Sequence, residues 1–302
     1  MERLGCDGIE GVWGGEDLPK DLPAELILGY HLIFYPDWLD FYRDDRAALK
    51  QKFGSLEAVA SFYGGLGPDT LLEQYRADLR RAVNLGARYV VFHVSDVSLE
   101  EGYTYRWLHT NQEVIDAAVE VVNLILGEER WPFEFLVENQ WWPGFTFTEP
   151  EETARLLEGI RFAGKGILLD TGHLMNACTE LKTEAEGADY IRRMLNRHGS
   201  LAKWVRGVHL HQSLSGAYVK AHTGSLPAGL PEDYMERFGV SYQHILQIDQ
   251  HRPWTDPAIL SVLEQIEPRY LTHELSSRGR MARAEAVSVQ TRLLQQGGRM
   301  RV

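Results

Sequence analysis

Cysteine is scarce in this 302-residue chain, with Cys6 and Cys178 far apart as the whole complement. A disulfide framework or a paired-thiolate metal site needs several cysteines at close spacing, so neither is available. Basic residues are also in deficit, 31 Lys plus Arg against 43 Asp plus Glu, for a formal charge of −12. General binding to nucleic acid or to an anionic membrane depends on clustered Lys and Arg, and this balance disfavours it. No apolar run approaches the roughly 18 residues of a membrane span, and the opening MERLGCDGIEG lacks the apolar middle of a signal peptide. These absences lead to the expectation of a soluble cytoplasmic protein. No phosphate loop or dinucleotide fingerprint falls between a strand and a helix. Gly64-Gly65-Leu66-Gly67 follows a helical stretch and reads as a breaker. A nucleophile elbow is missing too, which removes serine-hydrolase chemistry.

What is present is an alternation of short β-branched apolar runs with longer amphipathic ones, the pattern of parallel strands joined by crossover helices. Strands are expected at 8–13, 27–34, 89–97, 133–139, 166–169, 205–210 and 270–275. Helices are expected at 70–85, 112–126, 149–162, 184–197, 257–266 and 282–295, with Thr110 or Asn111 and Thr148 as capping residues. Without a low-complexity linker or a repeat, the reading is one α/β domain over residues 1–302, a (β/α)₈ TIM barrel. Seven strands are evident where eight are needed. Residues 1–5 read as the tail of a helix, so the first strand is expected to be missing at the N-terminus.

In such barrels the chemistry sits at the C-terminal ends of the strands. Those ends carry His31 in ILGYHLIF, His93 in YVVFHVSD, Glu138 in FEFLVENQ, Asp170 and His173 in GILLDTGHL, His209 in RGVHLHQS and Glu274 in YLTHELS. A lone histidine in an apolar strand is ordinarily a hydrogen-bonded core residue. Isolated carboxylates are different, because each costs several kcal/mol to bury, and three converging on one rim repel one another unless a cation intervenes. Mixed imidazole and carboxylate donors suit zinc, manganese, cobalt or iron, from one to three ions, rather than calcium. Trp38, Phe41, Tyr42, Tyr103, Tyr105, Trp107, Trp141 and Trp142 fall in the rim loops, where they line a pocket or pack the loops together. Trp38, Trp107 and Trp141 are therefore candidate substrate contacts. Arg278 is a candidate for an anionic substrate group, with Arg106, Lys220 and Arg280 nearby in sequence or on neighbouring loops.

LVEN, LLDTGH, GVHLHQS and the terminal HE, in this order and spacing, resemble the xylose-isomerase-like TIM-barrel superfamily from about Gly5 to the final helix. That superfamily holds sugar isomerases and epimerases and the endonuclease IV branch. Resemblance to the former implies one divalent metal on Glu138, Asp170, His209 and Glu274, with Glu138 and Glu274 exchanging the substrate proton and His173 touching the substrate. Resemblance to the latter implies three zinc ions, with His31, His93, His173, Asp249 and His251 as additional ligands and Glu138 bridging. The expected activity is a divalent-metal-dependent sugar or sugar-phosphate isomerase or epimerase, taking a small sugar or polyol derivative. A multi-zinc phosphoesterase and a metal-dependent binding barrel without catalysis are the alternatives.

Two features are expected to weigh against nucleic acid. Forty residues separate His209 from Asp249, and the insertion at 216–237 is expected to displace Asp249 and His251 from the metal. The loop from Tyr35 to Asp45 is acidic and is expected to repel phosphate. An open barrel would also expose the edges of its first and last strands, which invites pairing with another chain as a homo-oligomer.

Overall fold

The computed structural model describes residues 4–12 and 23–297. Seven strands form one parallel sheet whose spatial order follows the chain: β1 (Ile9–Val12), β2 (Ile27–His31), β3 (Tyr89–His93), β4 (Glu134–Glu138), β5 (Lys165–Asp170), β6 (Val205–His209) and β7 (Tyr270–Thr272). With helices between consecutive strands from β2 to β7 this is a TIM-barrel architecture. β1 and β7 end the sheet order without pairing, so the barrel is nearly closed and keeps one seam. Among the described residues there is no eighth strand. Trp13, and Met1 to Arg3 of the expected helix tail, lie outside the described residues.

Several strands end earlier than expected, and in β3 the reason is that its following backbone groups turn to neighbouring loops. After His93, the amides of Asp96 and Val97 donate to the carbonyls of Pro143 and Pro36 instead of continuing the ladder. The helices agree in place and differ at their ends. Thr110 and Thr183 close capping boxes with Glu113 and Glu186. Thr148 does not cap; Glu149 holds that position without a side-chain bond, ahead of Pro150, and the Thr148 hydroxyl pairs with that of Thr146. Periodicity missed the short helices inserted in rim loops, among them Leu39–Tyr42, Arg46–Phe53, Leu56–Tyr63 and Gly216–His222.

Strand side chains alternate between two environments, as a period of two requires. Tyr30, Val90, Phe92, Phe135, Val137, Ile167, Leu169 and Val208 point outward into the large core beneath the helices. Tyr89, Val91, Leu136 and Leu168 form a separate small cluster inside the barrel. Two residues further along the same strands, the inward series ends in His93, Glu138 and Asp170. An apolar plug thus forms the floor, and the polar residues form the layer above it.

The loop after β2 is held by a buried ion network. Lys52 Nζ lies 2.7 Å from Asp37 Oδ1 and 2.8 Å from Asp40 Oδ2. His109 Nε2 approaches Asp40 Oδ1 at 3.2 Å, and Asp96 accepts the amides of Trp38 and Leu39. Burial opposes charge on Asp40, yet His109 and Lys52 bring its pKa down to about 2. The acidity read from this loop is therefore largely internal: Asp37 and Asp40 are buried against Lys52, and burial, with Asp96 alongside, pushes the Asp37 carboxyl up to about 7. Of the other two, Asp45 caps the helix Arg46–Phe53 and Asp44 pairs with Arg46. Because removing one partner strands buried charge, Lys52→Met is expected to lower unfolding free energy by about 3–5 kcal/mol. Urea denaturation measures this, and a loss within experimental error of zero would show that the network holds nothing together.

Candidate metal centre

Six strands deliver donors to one end of the barrel, and adjacent strands set them side by side. In the ladder His93 is paired with Glu138, and Asp170 with His209. Asp170 also shapes the turn that follows it, since its Oδ1 accepts the amide of His173 at 2.6 Å and caps the helix Thr171–Asn176, which brings His173 round beside it. The glycine between them has a steric reason. A Cβ on Gly172 would lie 2.0 Å from Cε1 of His211, so the D-T-G-H turn leaves the space that the His211 ring fills.

Asp249 and His251 reach the same centre despite the long insertion. Gln212, just past β6, and Arg252 exchange backbone hydrogen bonds of 2.8 and 3.2 Å, an antiparallel bridge that pins the segment next to His211. His251 takes a left-handed φ of 46° there, a conformation that a non-glycine residue keeps only under strong local constraint. The expected displacement of Asp249 and His251 does not occur, because the insertion folds into helices outside the bridge.

The donor atoms fall into three groups, each within 4.8 Å: His31, His93 and Glu138; Glu138, Asp170, His209 and Glu274; His173, His211, Asp249 and His251. Glu138 belongs to two of them. Its Oε2 lies 3.3 Å from His31 Nε2 and 3.1 Å from His93 Nε2. Its Oε1 lies 3.1 Å from His173 Nδ1 and 3.6 Å from His209 Nδ1. His31 gives its Nδ1 proton to the Leu32 carbonyl at 2.8 Å, so Nε2 faces inward, 3.0 Å from the corresponding nitrogen of His93.

These atoms are buried, and many have no well-directed partner. Both Glu138 oxygens, His209 Nδ1, His211 Nδ1, Asp249 Oδ1 and Glu274 Oε2 make no hydrogen bond. Orphaned buried polar atoms are costly, and this concentration in one place fits cation binding by the residues present. Ionisation is kept by mutual pairing. Burial pushes the Glu138 carboxyl up, but His93 and His209 outweigh it and hold it well below the usual range. Burial pushes His173 down, and Asp170 with Asp249 holds it well above the ordinary imidazole value. His251 is likewise raised to about 9 against its burial, by Glu274 and Asp249.

The sequence-derived aromatic residues divide. Trp141 packs against His173 at 5.1 Å between ring centres and borders the centre. Trp107 is 40% exposed and leans on Tyr105. Trp38 is turned inward, its Nε1 donating to the Ser95 carbonyl at 2.7 Å, so it packs loops instead of lining a pocket. Arg278 is exposed in the segment after Glu274. Two residues escaped the sequence reading. His211 stands two positions beyond His209 and so shares its side of the chain. Glu10, an acid in an otherwise apolar strand, contacts His209.

Among the described residues no helix is long and apolar enough to cross a membrane. No curated protein sequence matches the chain. Solved structures similar to it include a D-tagatose 3-epimerase-like protein, 15% identical, with a TM-score of 0.50 over 89% of this chain and 78% of that one. Mannonate dehydratase from Streptococcus suis is 14% identical, with a TM-score of 0.47 over 97% and 95%. Endonuclease IV from Thermus thermophilus is 20% identical, with a TM-score of 0.40 over 76% and 70%. At such identities the likeness concerns the fold. A model of the xylose isomerase-like TIM barrel family matches residues 1–288, and the chain belongs to that family.

Proposed function

We propose that the protein is a multinuclear metal-dependent phosphoester hydrolase. The observation that carries this reading is the position of Glu138. An epimerase-type glutamate needs a carboxylate oxygen open to substrate, whereas each oxygen of Glu138 lies within 3.6 Å of two ligand-type nitrogens. His31, His93 and Glu138 would hold one ion, Glu138, Asp170, His209 and Glu274 a second, and His173, His211, Asp249 and His251 a third. Bound there, divalent ions supply Lewis-acid stabilisation of phosphoryl oxygens and a water nucleophile at neutral pH.

The chain's own residues orient and shield. The Leu32 carbonyl fixes the tautomer of His31, and carbonyl or carboxylate partners of this kind raise ligand basicity. Phe34 lies 4.4 Å from the His93 ring and Trp141 covers His173, which limits water at both flanks. Burial of Asp37 and Asp40 against Lys52 keeps these two acids off the loop surface, which lessens the electrostatic objection to an anionic substrate.

One observation favours a second reading, the metal-dependent sugar isomerase or epimerase. Glu138, Asp170, His209 and Glu274 form a complete mononuclear set by themselves, and the Glu274 side chain is 33% exposed, accessible to a ligand. Metal content separates the two: elemental analysis of zinc-loaded protein is expected to give two or three ions per chain, and a single ion would favour the isomerase.

Adding zinc to chelator-stripped protein is expected to raise its thermal midpoint, each site contributing about 2.7 kcal/mol at a hundredfold excess over its Kd. An unchanged midpoint in scanning fluorimetry would remove the metal from both readings. Glu138→Gln is expected to lower zinc content and to cut hydrolysis of bis(p-nitrophenyl) phosphate by at least about a hundredfold, since Lewis-acid stabilisation is worth several kcal/mol. Full activity in that variant would exclude a bridging role, and ketose epimerisation by the wild type without phosphoesterase activity would favour the second reading.

A further inference from the structure

We infer that Glu10 is a positioning residue, which sets the His209 ring so that Nδ1 faces Glu138, Asp170 and Glu274, and which fastens the seam between β1 and β7 by the same contacts. The inference rests on the reading above, in which that donor group takes a divalent ion.

Glu10 lies on β1 where the pairing register with β2 shifts between Ile9 and Glu10. Such irregularities re-aim a side chain, and here the carboxylate reaches into the barrel. Its Oε1 is 2.9 Å and its Oε2 3.0 Å from Nε2 of His209. Oε2 also accepts from the Tyr89 hydroxyl at 2.8 Å and from Thr272 Oγ1 at 3.4 Å. The partners come from β6, β3 and β7, so one carboxylate of β1 holds both sides of the gap left in the ladder.

The supporting residues are built for this. A Cβ on Gly29 would lie 2.2 Å from the Tyr89 ring, so glycine in β2 is what lets Tyr89 lie across the barrel and donate to Glu10. With Nε2–H committed to Glu10, the lone pair of a neutral His209 is on Nδ1. That atom lies 2.7 Å from Glu274 Oε2, 3.6 Å from Glu138 Oε1 and 3.8 Å from Asp170 Oδ2, without a hydrogen bond to any of them. A carboxylate behind a ligand imidazole fixes its tautomer and orientation and raises its basicity.

The test is zinc titration of chelator-stripped wild type, Glu10→Gln, Tyr89→Phe and His209→Ala against a competing chromophoric chelator, with the thermal midpoint of each stripped protein recorded alongside. Glu10→Gln preserves the shape of the side chain and is expected to weaken one zinc step about 10–100-fold. That step is the one His209→Ala removes, the other steps staying unchanged. Tyr89→Phe is expected to weaken the same step by less. Wild-type zinc affinity in Glu10→Gln would overturn the inference, as would equal weakening of every step together with a fall in the stripped midpoint, the mark of a clasp and nothing more. Failure of the wild type to take up zinc would overturn the metal reading itself and the positioning role with it, an outcome visible before any variant is compared.

Discussion

A carboxylate with no exposed surface, Glu138, stands between imidazoles on both sides, and the upper layer of the barrel is arranged around the need to keep it charged. Parallel strands enclosed by helices have no water to offer such a group. On the central strands β3, β4 and β5 the inward positions therefore divide in two: apolar side chains in the floor cluster of Tyr89, Val91, Leu136 and Leu168, and donors that help balance the charge above. The two-residue period of the strands makes these layers neighbours without mixing them.

The molecule contains its own comparison for how buried acids can be balanced. In the loop after β2, Asp37 and Asp40 are met by the ammonium of Lys52, a cation built into the chain. In the barrel mouth, Glu138, Asp170, Asp249 and Glu274 pair with histidines, whose charge depends on a proton. A proton on imidazole is replaceable by a metal, whereas a lysine in the same place would block one. The first network secures a loop; the second is open to exchange.

Most of the barrel and much of the centre were legible in the sequence because they depend on local pattern. Seven apolar runs became seven strands, and the acids and histidines at their ends became the donor layer, since alternation fixes which side each faces. His211 was legible in principle from the same alternation, G-V-H-L-H, and Glu10 from the rule applied to Glu138, that an acid in an apolar strand needs a reason. The rest required long-range contacts. Nothing local in the Asp249 to His251 segment announces its bridge to Gln212, and nothing in an aromatic loop says that Trp38 turns inward to Ser95 while Trp141 meets His173. The acidity of residues 37–45 misled for the same reason, because Asp37 and Asp40 are buried against Lys52 and His109 from other segments.

The seam has a consequence for the order in which the molecule can assemble. β1 is the first strand of the described chain to be synthesised, yet the side-chain partners of Glu10 lie 79, 199 and 262 residues further on. Its pairing with β2 can form early, but contacts at such separation form late and slow the search for the native state. Until β7 is in place, Glu10 has no Thr272 to meet across the seam, so the strand made first is the last to be secured.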